Sequence, residues 1–340
     1  MVLLGTEAPK TVNIRLLNGE VWPIPLQECR KSADEASCTV IKDAGDDPDV
    51  TNQAVIGVRA RLSHETAGVQ ITGGQGVGRV TKPGLEVPPG EAAINPGPCR
   101  MIREAVHAAM TEAGRTGGMH VEVFVPKGRE ISARTLNHRL GIVGGISILG
   151  TTGVVRPLSH EAYKATIESA FSVAAACSAK TVVCTTGRRS ERHAQQMFAD
   201  LPAEAFVQIG DYFAESMNQA GDRGFDRVVL AGFFGKAVKM AQAAPHTHAA
   251  RARLALEQLA KWTRAAGADD ALVKPISAAN TAREAFFMLE KQCPVVFSDV
   301  AARVVQSAEN FSGNRIAARA VLFDYSGGVA ADTGAKEALR

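Results

Sequence analysis

The sequence predicts an α/β and α+β chain. A β-rich α+β half over residues 1–150 is followed by a doubly wound, mainly parallel α/β half over residues 151–340. Three observations carry this reading. Two alternating runs flank an Asn-Gly pair near the start, three strand-loop-helix units follow one another after residue 180, and a glycine-dense stretch, Leu136–Pro157, separates the two patterns.

The elements follow in order. Val12–Leu26 (VNIRLLNGEVWPIPL) reads as a hairpin, because Asn-Gly supplies the positive φ angles that a two-residue turn needs. Ser37–Lys42 and Ala54–Leu62 read as a second strand pair, joined by a loop with four aspartates. Position twelve counted from Asp43 is Ala54, so this is no EF-hand, and a solvated turn is the simpler reading. Val69–Met101 reads as a strand end running into a long Gly/Pro loop whose polar handles are Lys82, Asn95 and Arg100. No GxGxxG falls in register there, which argues against a nicotinamide site. Pro98 opens a helix with apolar residues at 101, 102, 105, 106, 109 and 110, and His120–Val125 is a strand. Glycine packs nothing and costs backbone entropy, so the density of Leu136–Pro157 implies close approach to something. Either it is the inner wall of a site, with Thr151 and Thr152 offering hydroxyls, or it is a tight joint with no ligand.

After this stretch, Ser159 is placed as the N-cap of a helix reaching about residue 178. The strand of TVVCTTGRRSE, the strand of FVQIGDYF and the strand of DRVVLAGFFGK each run into a helix, so the expected architecture is Rossmann-like. Ligands of such sheets sit beyond the carboxyl ends of the strands. That selects Thr185, Thr186, Gly187 and Arg188, then Gly210 and Asp211, then Gly232, Gly235 and Lys236. His246 and His248 precede a helix of about Ala249–Ala266, and a loop position suits acid-base work or ligand contact better than a metal site lacking a third donor. A helix at Ala279–Lys291, a strand in PVVFSD, a helix to Glu309 and a last strand in IAARAVLFDYSGG complete the reading.

The formal net charge of +3 over 340 residues, with no basic run, excludes a nucleic-acid surface. No window is apolar for long enough to span a membrane and no signal-peptide pattern opens the chain, so the expected location is the cytoplasm. The six cysteines are scattered with no CxxC pair; they are read as reduced.

KDAGDDPDVT, ITGGQGVGRVTKPGL, PPGEAAINP, LGIVGGISILGTTGVVRP, TTGRRSE, GDYF, and GKAVKMA followed by TH together resemble the CbiD family, the cobalt-precorrin-5B C(1)-methyltransferases of anaerobic cobalamin biosynthesis. The resemblance implies methyl transfer from S-adenosylmethionine to C(1) of a cobalt-containing corrinoid precursor. The cobalt would belong to the substrate, with no metal held by the protein. It implies that Thr185, Thr186, Gly187, Arg188, Gly210, Asp211, Gly232 and Gly235 line the cofactor side. Lys82, Asn95, Arg100, Thr151, Thr152, Lys236 and His246 would meet the substrate, the β-rich half forming its wall. His248 is the first catalytic candidate, and Asp46 is the second, as the acidic-loop residue that would act as a base. Hand-over of the substrate from neighbouring pathway enzymes is the partner this reading leaves open. Cys99 stands where the family pattern has arginine, Phe233 where it has histidine, and an acidic residue after Thr247-His248 is absent. The opening MVLLGTEAP resembles the late part of a family helix, which implies a start upstream of the recorded one. Two other classes compete: an NAD(P)-dependent oxidoreductase on the same sheet, and a corrinoid-binding carrier without catalysis.

Overall fold

Alternation and turn chemistry build the first unit, Met1–Tyr163. In the computed structural model, which describes residues 2–5, 7–63, 68–150, 153–154, 160–248 and 252–334, β1 (Thr11–Arg15) and β2 (Val21–Pro25) pair antiparallel across Asn18-Gly19. Gly19 takes φ +89° there, as the turn requires. Next come β3 (Glu28–Lys31), β4 (Glu35–Ile41), β5 (Val55–Ser63), β6 (Val69–Gly73), β7 (Arg79–Val80), α1 (Pro96–Glu112), β8 (Gly118–Phe124), α2 (Gly128–Ser132) and β9 (Ile142–Val143). The main sheet has the order β3-β4-β5-β8-β6, antiparallel except where β6 runs parallel to β8 through the α1 crossover. Ile102, Val106 and Met110 of α1 pack on Met119 and Val121, the face its sequence period marks.

Two expectations change here. Cys29 and Cys38 are not reduced but disulfide-bonded, because the unforeseen strand β3 lies beside β4 and sets these residues directly opposite each other. Close approach to protein accounts for Gly141 and Gly145, whereas Gly144 faces open space. A Cβ at Gly145 would lie 2.1 Å from the Gly76 carbonyl oxygen, and one at Gly78 would lie 2.4 Å from Ile142 Cγ2. The two glycine-rich segments therefore pack backbone on backbone, joined by β7–β9 and by bridges Val77–Ile146 and Ile94–Ile148.

Helix α3 (His160–Ala176) leads into the second unit, Lys164–Arg340. The N-cap expected at Ser159 lies outside the described residues. The chain continues through β10 (Thr181–Thr185), α4 (Arg188–Met197), β11 (Phe206–Gln208), α5 (Phe213–Asp222), β12 (Arg227–Phe233), α6 (Phe234–Met240), α7 (Ala252–Ala265), α8 (Asp270–Ala278), α9 (Ala282–Gln292), α10 (Val295–Phe311), β13 (Ala317–Phe323) and β14 (Val329–Asp332). The strand order is β11-β10-β12-β13-β14, with the first four strands parallel and β14 antiparallel. Successive residues of β10 alternate faces. Val182 and Cys184 join the core built with α3, α5, α6 and α10, while Val183 joins Ala194 of α4 and Phe323.

Three elements differ from expectation. Residues 294–299 do not form a strand but open α10, since the apolar positions 296, 297, 300, 301 and 304 continue a helical period past the short PVVF run. α8 was hidden by Pro275 in its interior, although Asp269 caps it by accepting from the Leu272 amide. β14 turns back beside β13, where a single terminal strand was expected. Among the described residues, no helix is long and apolar enough to cross a membrane.

Candidate active site at the carboxyl edge of the parallel sheet

The order β11-β10-β12 places a switch point beside β10, because its two neighbours are reached by connections running in opposite directions. The loops beyond β10, β11 and β12 lie there. Lys236, in the first turn of α6, ties them together: its ammonium donates to the Thr186 carbonyl at 3.3 Å, the Gly210 carbonyl at 3.2 Å and Asp211 Oδ1 at 3.2 Å. Lys236 was expected at the substrate; an ammonium has three donors, and in this structure three protein acceptors lie within their reach.

Asp211 carries the network onward. Its Oδ1 accepts from the Thr247 hydroxyl at 2.7 Å, and its carbonyl accepts from the Thr247 amide at 3.0 Å. Burial works to raise the Asp211 carboxyl, but the Thr247 hydrogen bond, the Lys236 ammonium and His248 outweigh it and hold the group below the usual aspartate range. Lys239 of α6 donates to the carbonyls of Thr247 at 3.0 Å and His248 at 2.9 Å. Its own burial pushes the ammonium below the usual lysine range, with Asp211 opposing that push and Lys236 adding to it. The segment 245–248 is therefore clamped at both ends: the Ala214 amide donates to the Pro245 carbonyl, and the His246 ring sits edge-on to Tyr212 at 5.4 Å. The His248 side chain is exposed while its backbone is fixed.

Thr185 is fully buried at the end of β10, and its Oγ1 has no hydrogen-bond partner among the described residues. Gly187 is extended, with φ 161°, and a Cβ there would meet nothing within 4 Å. Its glycine is not demanded by backbone conformation; the loop simply leaves open space. Gly210 does take a left-handed φ of +57°. A Cβ added at Gly232 would lie 3.4 Å from Thr186 Oγ1, while one at Gly235 would meet Ala282 of α9 rather than the opening. Arg188 is exposed.

The other sequence candidates lie in the first unit. Asn95 donates from Nδ2 to Glu86 at 2.8 Å, Lys82 packs its stem on Gly141, and Arg100 is exposed on α1. Within the acidic loop it is Asp49 that is engaged, with Lys42 and Thr51, whereas Asp46 points to solvent. Thr151 and Thr152 lie outside the described residues. Among the described residues no group of three or more His, Cys, Asp or Glu side chains could hold a metal ion. Neither Thr247 nor Lys239 was among the site residues expected from the sequence. Their signal was the Lys-x-x-Lys spacing, which puts two ammonium groups on one face of α6.

Fold and edge together define an α/β protein whose candidate site loops gather beyond the carboxyl ends of a parallel sheet. The chain belongs to the CbiD family: the CbiD model matches residues 1–157 and the CbiD C-terminal domain model matches residues 246–334. A protein of Nitratidesulfovibrio vulgaris named cobalt-precorrin-5B C(1)-methyltransferase is 46% identical over 307 residues, 89% of this chain and 79% of that one. One of the same name from Geobacillus kaustophilus is 41% identical over 326 residues, 96% and 87% of the two chains. A crystal structure of a cobalamin biosynthesis protein (cbiD) from Archaeoglobus fulgidus is 25% identical, covering 68% and 72% of the chains at a TM-score of 0.36.

Proposed function

We propose that this chain is an S-adenosylmethionine-dependent methyltransferase that methylates C(1) of cobalt-precorrin-5B, a cobalt corrinoid, in anaerobic cobalamin biosynthesis. Its second unit works as a Rossmann-like, doubly wound cofactor domain, and its first unit, with Lys82, Asn95, Arg100, Thr151 and Thr152, serves the substrate. The relatives' shared name supports the reaction. The observation that supports the site is the open space at Gly187, on the loop that Lys236 ties to Gly210 through the Thr186 and Gly210 carbonyls.

The residues present fit a bound S-adenosylmethionine there, since the loop after β10 leaves open space at Gly187 and Asp211 supplies a carboxylate kept ionised. When bound, the cofactor supplies a methyl group already activated on a sulfonium. What remains for the protein is alignment and exclusion of water, worth roughly 7–11 kcal/mol of barrier when reactants are well held. Thr186, Gly187, Arg188, Gly210, Asp211 and Gly232 bind; Lys236 and Lys239 hold the loops rigid. His248 stands on a fixed backbone with an exposed side chain, able to accept or donate a proton at the substrate. The reading keeps a cytoplasmic setting, with hand-over from neighbouring pathway enzymes as its partner chemistry. An oxidoreductase reading has no supporting observation at this edge. Calorimetry with the full chain tests the site: S-adenosylmethionine binds and NAD does not, whereas micromolar NAD binding without S-adenosylmethionine binding would remove the proposal.

A further inference from the structure

A second feature of the same sheet edge is unused by the network around Lys236. Beyond the ends of β12 and β13, the Phe233 and Tyr325 rings stack at 5.9 Å and 17°. The Arg189 guanidinium stands 4.7 Å over Phe233, and Arg283 of α9 stands 5.0 Å over Tyr325 and 5.8 Å over Phe287. Phe287 is 42% exposed, and both arginines are exposed. Among the described residues neither guanidinium meets a carboxylate, although Arg189 spends one donor, Nη2, on the Tyr325 carbonyl. Asp324, beside Tyr325, instead spends its Oδ1 on Ser326, Gly327 and Gly328.

We infer that Arg189, Phe233, Tyr325, Arg283 and Phe287 form a platform for a flat, apolar macrocycle fringed with carboxylates, the chemical class of the substrate proposed above, on which reading this inference rests. A guanidinium laid over an aromatic ring keeps its fork of N–H donors free in its own plane, ready for bidentate contact with a carboxylate. The Arg283 fork and the remaining donors of Arg189, beside the exposed ring of Phe287, match a ligand whose faces are apolar and whose rim is anionic. A lone phosphate would use the arginines and leave the rings without a role.

The test is absorbance titration of the full chain with dicyanocobyrinic acid, a stable cobalt corrinoid with a carboxylate rim, and with dicyanocobinamide, whose rim is amidated. Wild type should bind the acid more tightly than the amide. Arg283→Gln should weaken acid binding about tenfold and leave amide binding unchanged. Phe287→Ser should weaken both, and neither variant should change S-adenosylmethionine affinity. Both side chains are exposed, and thermal melts verify folding. Equal wild-type affinity for acid and amide, unchanged acid affinity in Arg283→Gln, or loss of S-adenosylmethionine binding instead would each overturn the platform. Methyl transfer, measured separately, keeps the two claims apart. Transfer by wild type with an unaffected Arg283→Gln removes the platform alone, while the expected titrations without any transfer remove the enzymatic reading and leave the platform standing.

Discussion

Lys236 Nζ lies 3.2 Å from Asp211 Oδ1 and, with its remaining donors, binds the carbonyls that follow β10 and β11. One side chain thus fixes two loops contributed by neighbouring strands. Lys236→Met keeps the aliphatic stem and removes the clamp, so three half-buried acceptors lose a donor. We expect about 1–2 kcal/mol of lost stability in urea titrations. A larger effect should fall on S-adenosylmethionine: its KM should rise about tenfold or more while the folded fraction at 25 °C stays near one. An unchanged KM would reduce Lys236 to a purely structural role.

The Asp211 network has a defined pH signature. Its carboxyl is depressed from the ordinary value of 3.8, so the stability it contributes is fully present above the unfolded value and is lost as pH falls through the lower folded one. The difference in urea midpoint between wild type and Asp211→Asn should hold constant from neutral pH down to about pH 5 and shrink below about pH 4. A difference that instead changes between pH 6 and 8 would assign the titration to a histidine of the neighbouring segment.

Gly187 offers a clean probe because an added side chain enters open space on extended backbone. Gly187→Val should fold with a wild-type melting temperature and lose S-adenosylmethionine binding. Wild-type affinity in that variant would move the cofactor away from the end of β10.

His248→Ala should lower turnover by about 10²–10⁴-fold, the usual range for one proton-transfer group, with S-adenosylmethionine affinity retained. Loss of a cap on the helix that follows would instead cost about 0.5–2 kcal/mol of stability and leave turnover per folded molecule intact. A folded variant with wild-type turnover would end the catalytic assignment.

Much of this edge was legible in the sequence because parallel βα units announce themselves locally. An apolar strand, a glycine turn and a helix recur, and the ligand side of such a sheet follows from chirality. Thr186, Gly210, Asp211 and Lys236 were found that way, and the structure brings them into direct contact. What escaped was non-local. That Lys236 faces inward to three protein acceptors, that Thr247 closes on Asp211 from 36 positions away, and that Arg189 meets Phe233 and Tyr325 depend on how distant segments pack. Cys29 and Cys38 were misread for the same reason, since only strand pairing makes them neighbours. α10 was misread for a different one, because a four-residue apolar run carries no period.

The measurement that tests the account most directly is transfer of labelled methyl from S-adenosylmethionine to cobalt-precorrin-5B by the purified chain under anaerobic conditions, with wild type and Gly187→Val side by side. We expect label in a corrinoid product methylated at C(1) with wild type and none with the variant. Tight corrinoid binding by a folded wild-type chain without any transfer of label would contradict the account and leave a carrier in its place.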